Sequence, residues 1–277
     1  MKFKIVGDSC TDFTAEDLKK EYMVSVPLTI DVGGYEVIDD VTFDQADFLK
    51  RVAEYPECPK SACPSPERYM ESFQGAEQVY VVTLSAQLSG SYNSAQLAGR
   101  MYKEDHPEVD IHVFDSQSAS CGQFLLAHLI EKYALEGMEF EEIVERVTAF
   151  RDEMQTTFVL ESLETLRKNG RLTGVKALVA SALNIKPYMK AVNGTIAQAG
   201  QARGINKAVG KMIDFVGEVG QNLTEKTVVI ANCNCLERAK AVEQELMERY
   251  HFKDSVVIDT RGISSLYAND GGVIVAF

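Results

Sequence analysis

The feature that most constrains the fold is a regular alternation of short apolar runs with helix-forming stretches in the first half of the chain. Apolar runs occupy residues 3–6, 79–82 and 111–114, and helical patterns follow over residues 121–135 and 140–154. Strands that alternate with helices of this length favour a parallel sheet, because the helices connect successive strands and cover both faces. We therefore predict an N-terminal parallel-sheet α/β arrangement.

The second half of the chain follows a different pattern. Asn193-Gly194 separates two extended stretches, residues 185–192 and 195–199, and this dipeptide is a strong signal for a two-residue hairpin turn. An antiparallel hairpin mixed with helices is typical of an α+β domain. Further helices are predicted over residues 175–183, 208–221 and 236–250.

Together the two patterns predict two domains. The chain has 277 residues, which is enough for two domains of ordinary size, each with its own core. We place the boundary near Gln155, where a long helix is predicted to end, so that the domains are residues 1–155 and 156–277. A cleft between two domains is the usual place for a ligand.

Composition and charge limit the classes of molecule that the protein is expected to bind. The net charge is −13 and the pI is about 4.9, which argues against nucleic acid and anionic membrane surfaces, because both are polyanions. No apolar run approaches the roughly 18 residues that a membrane span needs. The first ten residues resemble a strand more than a signal peptide. We expect a cytoplasmic protein.

Cysteine and histidine give little indication of a metal site. Six cysteines are scattered without the spacing of a disulfide framework, and four histidines are equally dispersed. We expect free thiols and no metal site. Cys233 and Cys235 are the only closely spaced pair, and a thiol switch there is a minor alternative.

The loop over residues 83–95 is a candidate anion site. It connects an apolar strand to a helix and carries Ser85, Ser89 and Ser91. Free backbone N–H groups and the positive end of a helix dipole meet at such a loop. The loop contains no lysine and matches no nucleotide-binding motif, so it suits a single carboxylate or monophosphate better than a triphosphate. The alternative is a helix capped by serine with no ligand.

Seven segments, taken in order, resemble the DegV family of bacterial fatty-acid-binding proteins, which serve fatty acid kinases. The segments extend over nearly the whole chain. They are IVGDSCTD (5–12), SACPSP (61–66), LSAQLSGSYNSA (84–95), DSQSASCG (115–122), LRKNGRL (166–172), LNIKP (183–187) and the run 200–208.

The resemblance implies a function and a set of site residues. It implies that one long acyl chain, such as palmitate, is buried between the two domains, and that its carboxylate is presented to a kinase subunit for phosphorylation. The carboxylate-holding positions of the family fall on Ser61 and Ser89, with the N–H group of Gly90 nearby. Ser61 lies in a proline-rich loop, residues 56–66, which we predict to be irregular.

Arginine and tyrosine positions complete the expected site. The resemblance places Arg171 and Arg203 near the pocket mouth, where the kinase docks, and arginine suits phosphate through its permanent charge and bidentate geometry. A histidine that the family commonly uses is replaced here by Tyr267, which offers a hydroxyl but no charge. Asp270 even adds a negative charge nearby. We therefore expect neutral groups to hold the carboxylate.

Two alternatives stay open at this point. The first is a Mg²⁺-dependent phosphoryl-transfer or hydrolytic enzyme that uses Asp8 and the Ser89 loop, although an Asp-Ser-x-Thr sequence is more typical of a helix cap. The second is a binding protein for another apolar carboxylate, which would share the same head-group contacts. We find no nucleophile and base in a convincing arrangement, so no catalytic residue and no cofactor are predicted.

Overall fold

The computed structural model describes residues 1–172 and 184–277, so the predicted helix over residues 175–183 lies outside the described residues. The strands are β1 (Phe3–Asp8), β2 (Met23–Val26), β3 (Thr29–Val32), β4 (Tyr35–Ile38), β5 (Lys60–Ala62), β6 (Gln78–Thr83), β7 (Asp110–Asp115), β8 (Thr156–Val159), β9 (Ile185–Val192), β10 (Thr195–Arg203), β11 (Thr227–Asn232), β12 (Asp254–Asp259) and β13 (Val273–Ala276). The α-helices are α1 (Gln45–Glu54), α2 (Pro66–Phe73), α3 (Ser91–Asp105), α4 (Cys121–Leu135), α5 (Phe140–Glu153), α6 (Glu164–Lys168), α7 (Ile205–Val219), α8 (Leu236–Tyr250) and α9 (Gly262–Ala268).

The predicted parallel sheet is confirmed. Its four strands lie in the order β2-β1-β6-β7, and every neighbouring pair is parallel. Successive side chains of a strand point to opposite faces. Val81 packs with helices α2 and α3 on one face, whereas Val82 packs with α4 and α5 on the other. Both faces are therefore covered, as the apolar runs of the sequence predict.

The second half forms a mixed sheet of six strands, in the order β10-β9-β8-β13-β11-β12. Only the β11–β12 pair is parallel. Helices α7 and α8 pack on one face, and α4 packs on the other. Helix α4 thus lies between the two large sheets, which is why both its sides are apolar and ten of its residues are buried.

A third, small sheet was only partly predicted. It has the antiparallel order β4-β3-β5. The sequence predicts a hairpin turn at Gly33-Gly34, and these residues form the turn between β3 and β4. The prediction that residues 56–66 are wholly irregular was wrong, because residues 60–62 form β5. The prolines of this loop flank the short strand and do not interrupt it, so its ladder with β3 is intact.

The sequence also predicts a helix that is capped by Thr11/Asp12 and ends at about Tyr22, and the structure does not form it. Residues 9–11 and 17–19 form short 3-10 turns, and Asp12 has a φ of +56°, which ends the first turn in the left-handed region. The Asp12 carboxylate is buried and binds Ser120 and the backbone of Arg261. These tertiary hydrogen bonds replace the local ones that a helix cap would have made.

The two halves of the chain are tied together at several places. The hairpin turn at Asn193-Gly194 is confirmed by positive φ angles, and the Ser85 hydroxyl donates a hydrogen bond of 2.7 Å to the Gly194 carbonyl. Helix α9, from the second half, packs on α1 and β3 of the first. The domain boundary at residue 155 stays a prediction.

No helix within residues 1–172 and 184–277 combines the length and apolar character that a membrane crossing requires.

Candidate functional site

A cavity of about 240 Å³ opens where the parallel sheet faces the mixed sheet. Its lining includes Cys10, Leu84, residues 88–90 and residues 117–120, which follow the carboxyl ends of β1, β6 and β7. Ligands of open parallel sheets commonly bind beyond these strand ends. The apolar part of the wall comes from both halves of the chain and includes Leu28, Leu84, Phe158, Leu160, Ile263 and Ile274.

Two hydroxyl groups from distant parts of the chain meet at one corner of this cavity. Ser61 lies in the middle of β5 and Tyr267 lies on helix α9, and their oxygens are 3.2 Å apart. Both side chains are half-buried. When one of these hydroxyls donates to the other, the accepting hydroxyl still has its own proton to donate to an acceptor in the cavity. The pair can therefore bind an acid oxygen placed between them.

The start of helix α3 lies at the same cavity. The Ser89 hydroxyl accepts a hydrogen bond of 3.2 Å from the backbone N–H of Ser91, which leaves its own proton free to be donated. In the described part of the chain, the N–H group of Gly90 has no acceptor within hydrogen-bonding distance. A side chain at Gly90 would approach the Cys63 sulfur, at 3.2 Å from the added carbon. This helix start therefore offers donors to an anion.

Arg171 supplies a positive charge to the cavity wall. Its Nε donates to the Leu88 carbonyl at 3.1 Å and its Nη1 donates to the Asn169 carbonyl at 2.6 Å. The centre of its guanidinium group lies 5.9 Å from the centre of the Tyr267 ring. Two carbonyl groups thus fix this arginine beside the hydroxyl pair.

Five of the six predicted site residues line one cavity, namely Ser61, Ser89, Gly90, Arg171 and Tyr267. We call this group the hydroxyl corner. Arg203 is separate: it is exposed at the end of β10 and does not belong to the cavity lining. The predicted roles of all six residues stay predictions, because their positions alone do not assign a ligand.

Asp8 stabilises the loop that carries Ser89. Its carboxylate is fully buried and accepts hydrogen bonds from the Leu84 N–H at 2.8 Å, from the Ser91 hydroxyl at 2.5 Å and from the Gln123 amide at 2.9 Å. Burial raises the pKa of Asp8, and these hydrogen bonds act in the opposite direction. The prediction that Asp8 caps the helix after it was wrong, because its side chain makes no capping bond there.

The inner wall of the cavity contains hydroxyl groups that the sequence did not reveal. Ser118 and Thr156 form a hydrogen bond of 2.7 Å, and the Ser120 hydroxyl donates to Asp12 at 2.5 Å. Ser264 lies 3.5 Å from the Cys10 sulfur. Because these polar atoms already have hydrogen-bond partners in the protein, contact with an apolar ligand costs little desolvation free energy. The serines of residues 115–122 were the only signal of this wall in the sequence.

The closely spaced cysteines lie apart from the cavity lining. Burial raises the pKa of Cys233 to about 11 and also raises the pKa of Cys235. Both thiols are therefore protonated near neutral pH and react slowly. Across residues 1–172 and 184–277, histidine, cysteine and carboxylate side chains form no group of three that could hold a metal ion.

Comparison with known proteins identifies the family. The family profile described as "Uncharacterised protein, DegV family" matches residues 2–276. A DegV domain-containing protein from Streptococcus pneumoniae strain R6 is 35% identical over 280 residues, which cover all of this chain and 99% of the relative.

Solved structures agree with this assignment. A DegV family protein from Ruminococcus gnavus, refined with vaccenic acid, is 49% identical with a TM-score of 0.96, and 99% of each chain is covered. The Streptococcus pneumoniae Fatty Acid Kinase (Fak) B3 protein, loaded with linoleic acid, is 35% identical with a TM-score of 0.93, covering 100% of this chain and 99% of that one. The chain therefore belongs to the DegV family.

Proposed function

We propose that this protein binds one long-chain fatty acid in the cavity, with the carboxylate at the hydroxyl corner. The observation that carries the proposal is the Ser61–Tyr267 hydroxyl pair beside a helix start, at one corner of a mainly apolar cavity. Related proteins from Ruminococcus gnavus and Streptococcus pneumoniae that hold vaccenic and linoleic acid support it.

The tail and the head group of the acid contribute differently to binding. Burying an acyl chain contributes about 0.8 kcal/mol per CH₂, so a chain as long as palmitate contributes on the order of 10 kcal/mol before entropic costs. Hydrogen bonds to the carboxylate add about 1–3 kcal/mol. Affinity therefore comes mainly from the apolar wall, whereas Ser61, Ser89, Gly90 and Tyr267 determine where the carboxylate lies.

The fixed position of the carboxylate is what a partner enzyme requires. We propose that the acid is presented to a fatty acid kinase, that Arg171 and Arg203 face the incoming phosphoryl group, and that the protein itself is not an enzyme. The name of the related Fak B3 protein supports a kinase partner. A cytoplasmic location, where such a kinase would find ATP, stays a prediction.

Geometry argues against the alternative of a Mg²⁺-dependent enzyme that uses Asp8. Both carboxylate oxygens of Asp8 accept hydrogen bonds from protein groups, and the side chain is fully buried. A metal ion would have to displace these donors, which also stabilise the Ser89 loop. Turnover of a phosphate or carboxylate ester that depends on Mg²⁺, with no second protein present, would support the alternative and contradict the proposal.

Titration of delipidated protein with labelled palmitate tests the proposal. We expect one acid per chain and, for Ser89→Ala, a loss of affinity of no more than about tenfold, because one head-group hydrogen bond is removed. Turnover by the kinase should fall further, since the carboxylate is no longer fixed. Thr224→Ala removes an exposed hydroxyl and serves as the control.

Two results would count against this assignment. Unchanged affinity together with unchanged kinase turnover in Ser89→Ala would remove Ser89 from the site. Organic extraction of the purified protein followed by mass spectrometry identifies the natural ligand. If the extracted ligand is an apolar carboxylate other than a straight-chain fatty acid, the proposed ligand class is wrong, whereas the proposed head-group contacts still apply.

A further inference from the structure

We propose that Asp39 is a positioning residue that places the Tyr267 hydroxyl against Ser61, by binding the first backbone amides of helix α9. The inference rests on the proposed function, because the position of Tyr267 matters only if an acid binds at the hydroxyl corner. Asp39 does not line the cavity and would act through α9 alone.

Asp39 binds α9 with both oxygens of its carboxylate. Oδ1 accepts from the Gly262 N–H at 2.7 Å and Oδ2 accepts from the Ile263 N–H at 2.8 Å. The side chain is 1% exposed, so water does not compete for these bonds. The first amides of a helix have no partner within the helix, and a carboxylate is the group that stabilises them best.

Gly262 makes this close contact possible. A Cβ atom at Gly262 would lie 2.7 Å from both Cγ and Oδ1 of Asp39, which is closer than such atoms approach in proteins. The carboxylate therefore occupies the space that any larger side chain would need. The contact can be broken from either side, by changing the carboxylate or by adding one methyl group.

The small sheet connects this contact to the hydroxyl corner. Asp39 directly follows β4 and its N–H donates to the Leu28 carbonyl, while Ser61 lies on β5 of the same sheet. Tyr267 lies on the helix that Asp39 binds. The sheet thus fixes Ser61 directly and Tyr267 through Asp39. Because the two hydroxyl oxygens are 3.2 Å apart, a shift of α9 by about 1 Å would separate them beyond hydrogen-bonding distance.

Hydrogen bonds to Asp12 and Gln45 also hold α9 in the fold, but they do not connect it to the small sheet that carries Ser61. The backbone N–H of Arg261 donates to Asp12 at 2.7 Å, and the Gln45 amide donates to Thr260 and Ser265. We therefore expect α9 to remain folded when the Asp39 contact is weakened, while its first turn shifts relative to β5.

The test compares a fatty acid with the fatty alcohol of the same chain length. The alcohol fills the same cavity but lacks the carboxylate, so the ratio of the two affinities measures the head-group contacts alone. Wild-type protein should prefer palmitate to hexadecanol. Asp39→Asn should reduce this preference by about tenfold, because the amide nitrogen faces a backbone N–H and one acceptor is lost.

Matched variants separate positioning from general damage. Gly262→Ala should lower the preference in the same way as Asp39→Asn, because it breaks the contact from the other side. Asp105→Asn makes the same chemical change at an exposed position, and Gly210→Ala adds a methyl group where no atom lies within 4 Å. Both controls should keep the wild-type preference. Partial unfolding lowers both apparent affinities equally and cancels in the ratio.

A double-mutant cycle checks that Asp39 acts through Tyr267. Tyr267→Phe should reduce the acid preference in wild-type protein and have little further effect in Asp39→Asn. Full, independent effects of the two substitutions would overturn the inference, as would an unchanged preference in Asp39→Asn and Gly262→Ala. If wild-type protein binds neither ligand, or binds both equally, the proposed function itself fails.

Discussion

At the scale of single residues, buried carboxylates hold the cavity loops in place. Asp8, Asp12 and Asp39 are each at most 1% exposed. Asp8 accepts a hydrogen bond from a backbone N–H of the loop after β6, and Asp12 and Asp39 accept from consecutive backbone N–H groups at the start of helix α9. A buried carboxylate is costly unless it is well hydrogen-bonded. Each of these residues therefore contributes to the shape of the site without facing a ligand.

Asp12 makes folding stability depend on pH near neutrality. Burial raises its pKa from 3.8 to about 7, although hydrogen bonds from Ser120 and Arg261 oppose this. The folded protein therefore keeps this proton up to about pH 7, whereas the unfolded chain releases it near pH 4. Unfolding between these values releases a proton, so rising pH favours the unfolded state.

The prediction compares wild-type protein with Asp12→Asn. We subtract the free energy of unfolding of the variant from that of wild type. This difference should fall by at most about 1.4 kcal/mol per pH unit as pH rises from about 4 to about 7, and it should not change with pH above about 7. Urea unfolding at a series of pH values measures the difference. A difference that rises with pH would show that the pKa of Asp12 is lowered in the fold.

Within the hydroxyl corner, the sequence predicted Ser61, Arg171 and Tyr267 only through family resemblance. Periodicity alone identified the Ser89 loop, because it follows a strand and begins a helix. Ser61 and Tyr267 lie 206 positions apart in sequence, and no local pattern indicates that they meet. Asp39 is equally hidden, since its partners are backbone amides and any residue type except proline could supply those.

At the scale of elements, the β9–β10 hairpin closes one side of the cavity. Its turn contacts the loop after β6, and a Cβ atom at Gly194 would lie 2.6 Å from the Ser85 hydroxyl oxygen. Gly194 also has a φ of +77°, which other residues adopt at a cost. The turn therefore requires glycine for its backbone angle and for its contact.

Two glycine substitutions separate these requirements. Gly137→Ala, at a φ of +79° with no atom within 4 Å, should cost about 1–2 kcal/mol for the backbone angle alone. Gly194→Ala should cost a further 1–3 kcal/mol or so, because the added methyl group overlaps Ser85. Chemical denaturation of both variants measures the costs. Equal losses of unfolding free energy in the two variants would indicate that the hairpin turn is not in close contact with Ser85.

The long elements were predictable from the sequence, whereas strand β5 and helix α9 were not. The apolar strands of the parallel sheet, helices α4 and α5, and the Asn193-Gly194 hairpin all follow from periodicity and turn chemistry. Strand β5 has three residues and helix α9 has seven, which is too short for a periodic signal. Both are formed by tertiary contacts, and both carry residues of the hydroxyl corner.

At the scale of the whole molecule, the cavity belongs to both halves of the chain. Helix α4 packs against both large sheets, and the cavity wall includes Leu84 from the first half and Ile274 from the second. A ligand that fills this space contacts both halves in the folded state only. Binding should therefore stabilise the molecule as a unit.

Thermal unfolding measures this coupling. Delipidated protein should gain about 2.7 kcal/mol of stability at a palmitate concentration one hundred times the dissociation constant, which corresponds to a rise in Tm of roughly 5 °C. Hexadecane, which lacks a head group, should give a smaller rise. A Tm that does not respond to palmitate would contradict binding in a shared cavity.

A crystal structure of delipidated protein reloaded with palmitate tests the proposed binding mode most directly. We predict one acyl chain in the cavity, with a carboxylate oxygen within about 3.2 Å of the Ser61 or Tyr267 hydroxyl and the tail beside Phe158 and Ile274. A cavity filled by protein side chains, or an acid whose carboxylate lies away from Ser61 and Tyr267, would contradict it.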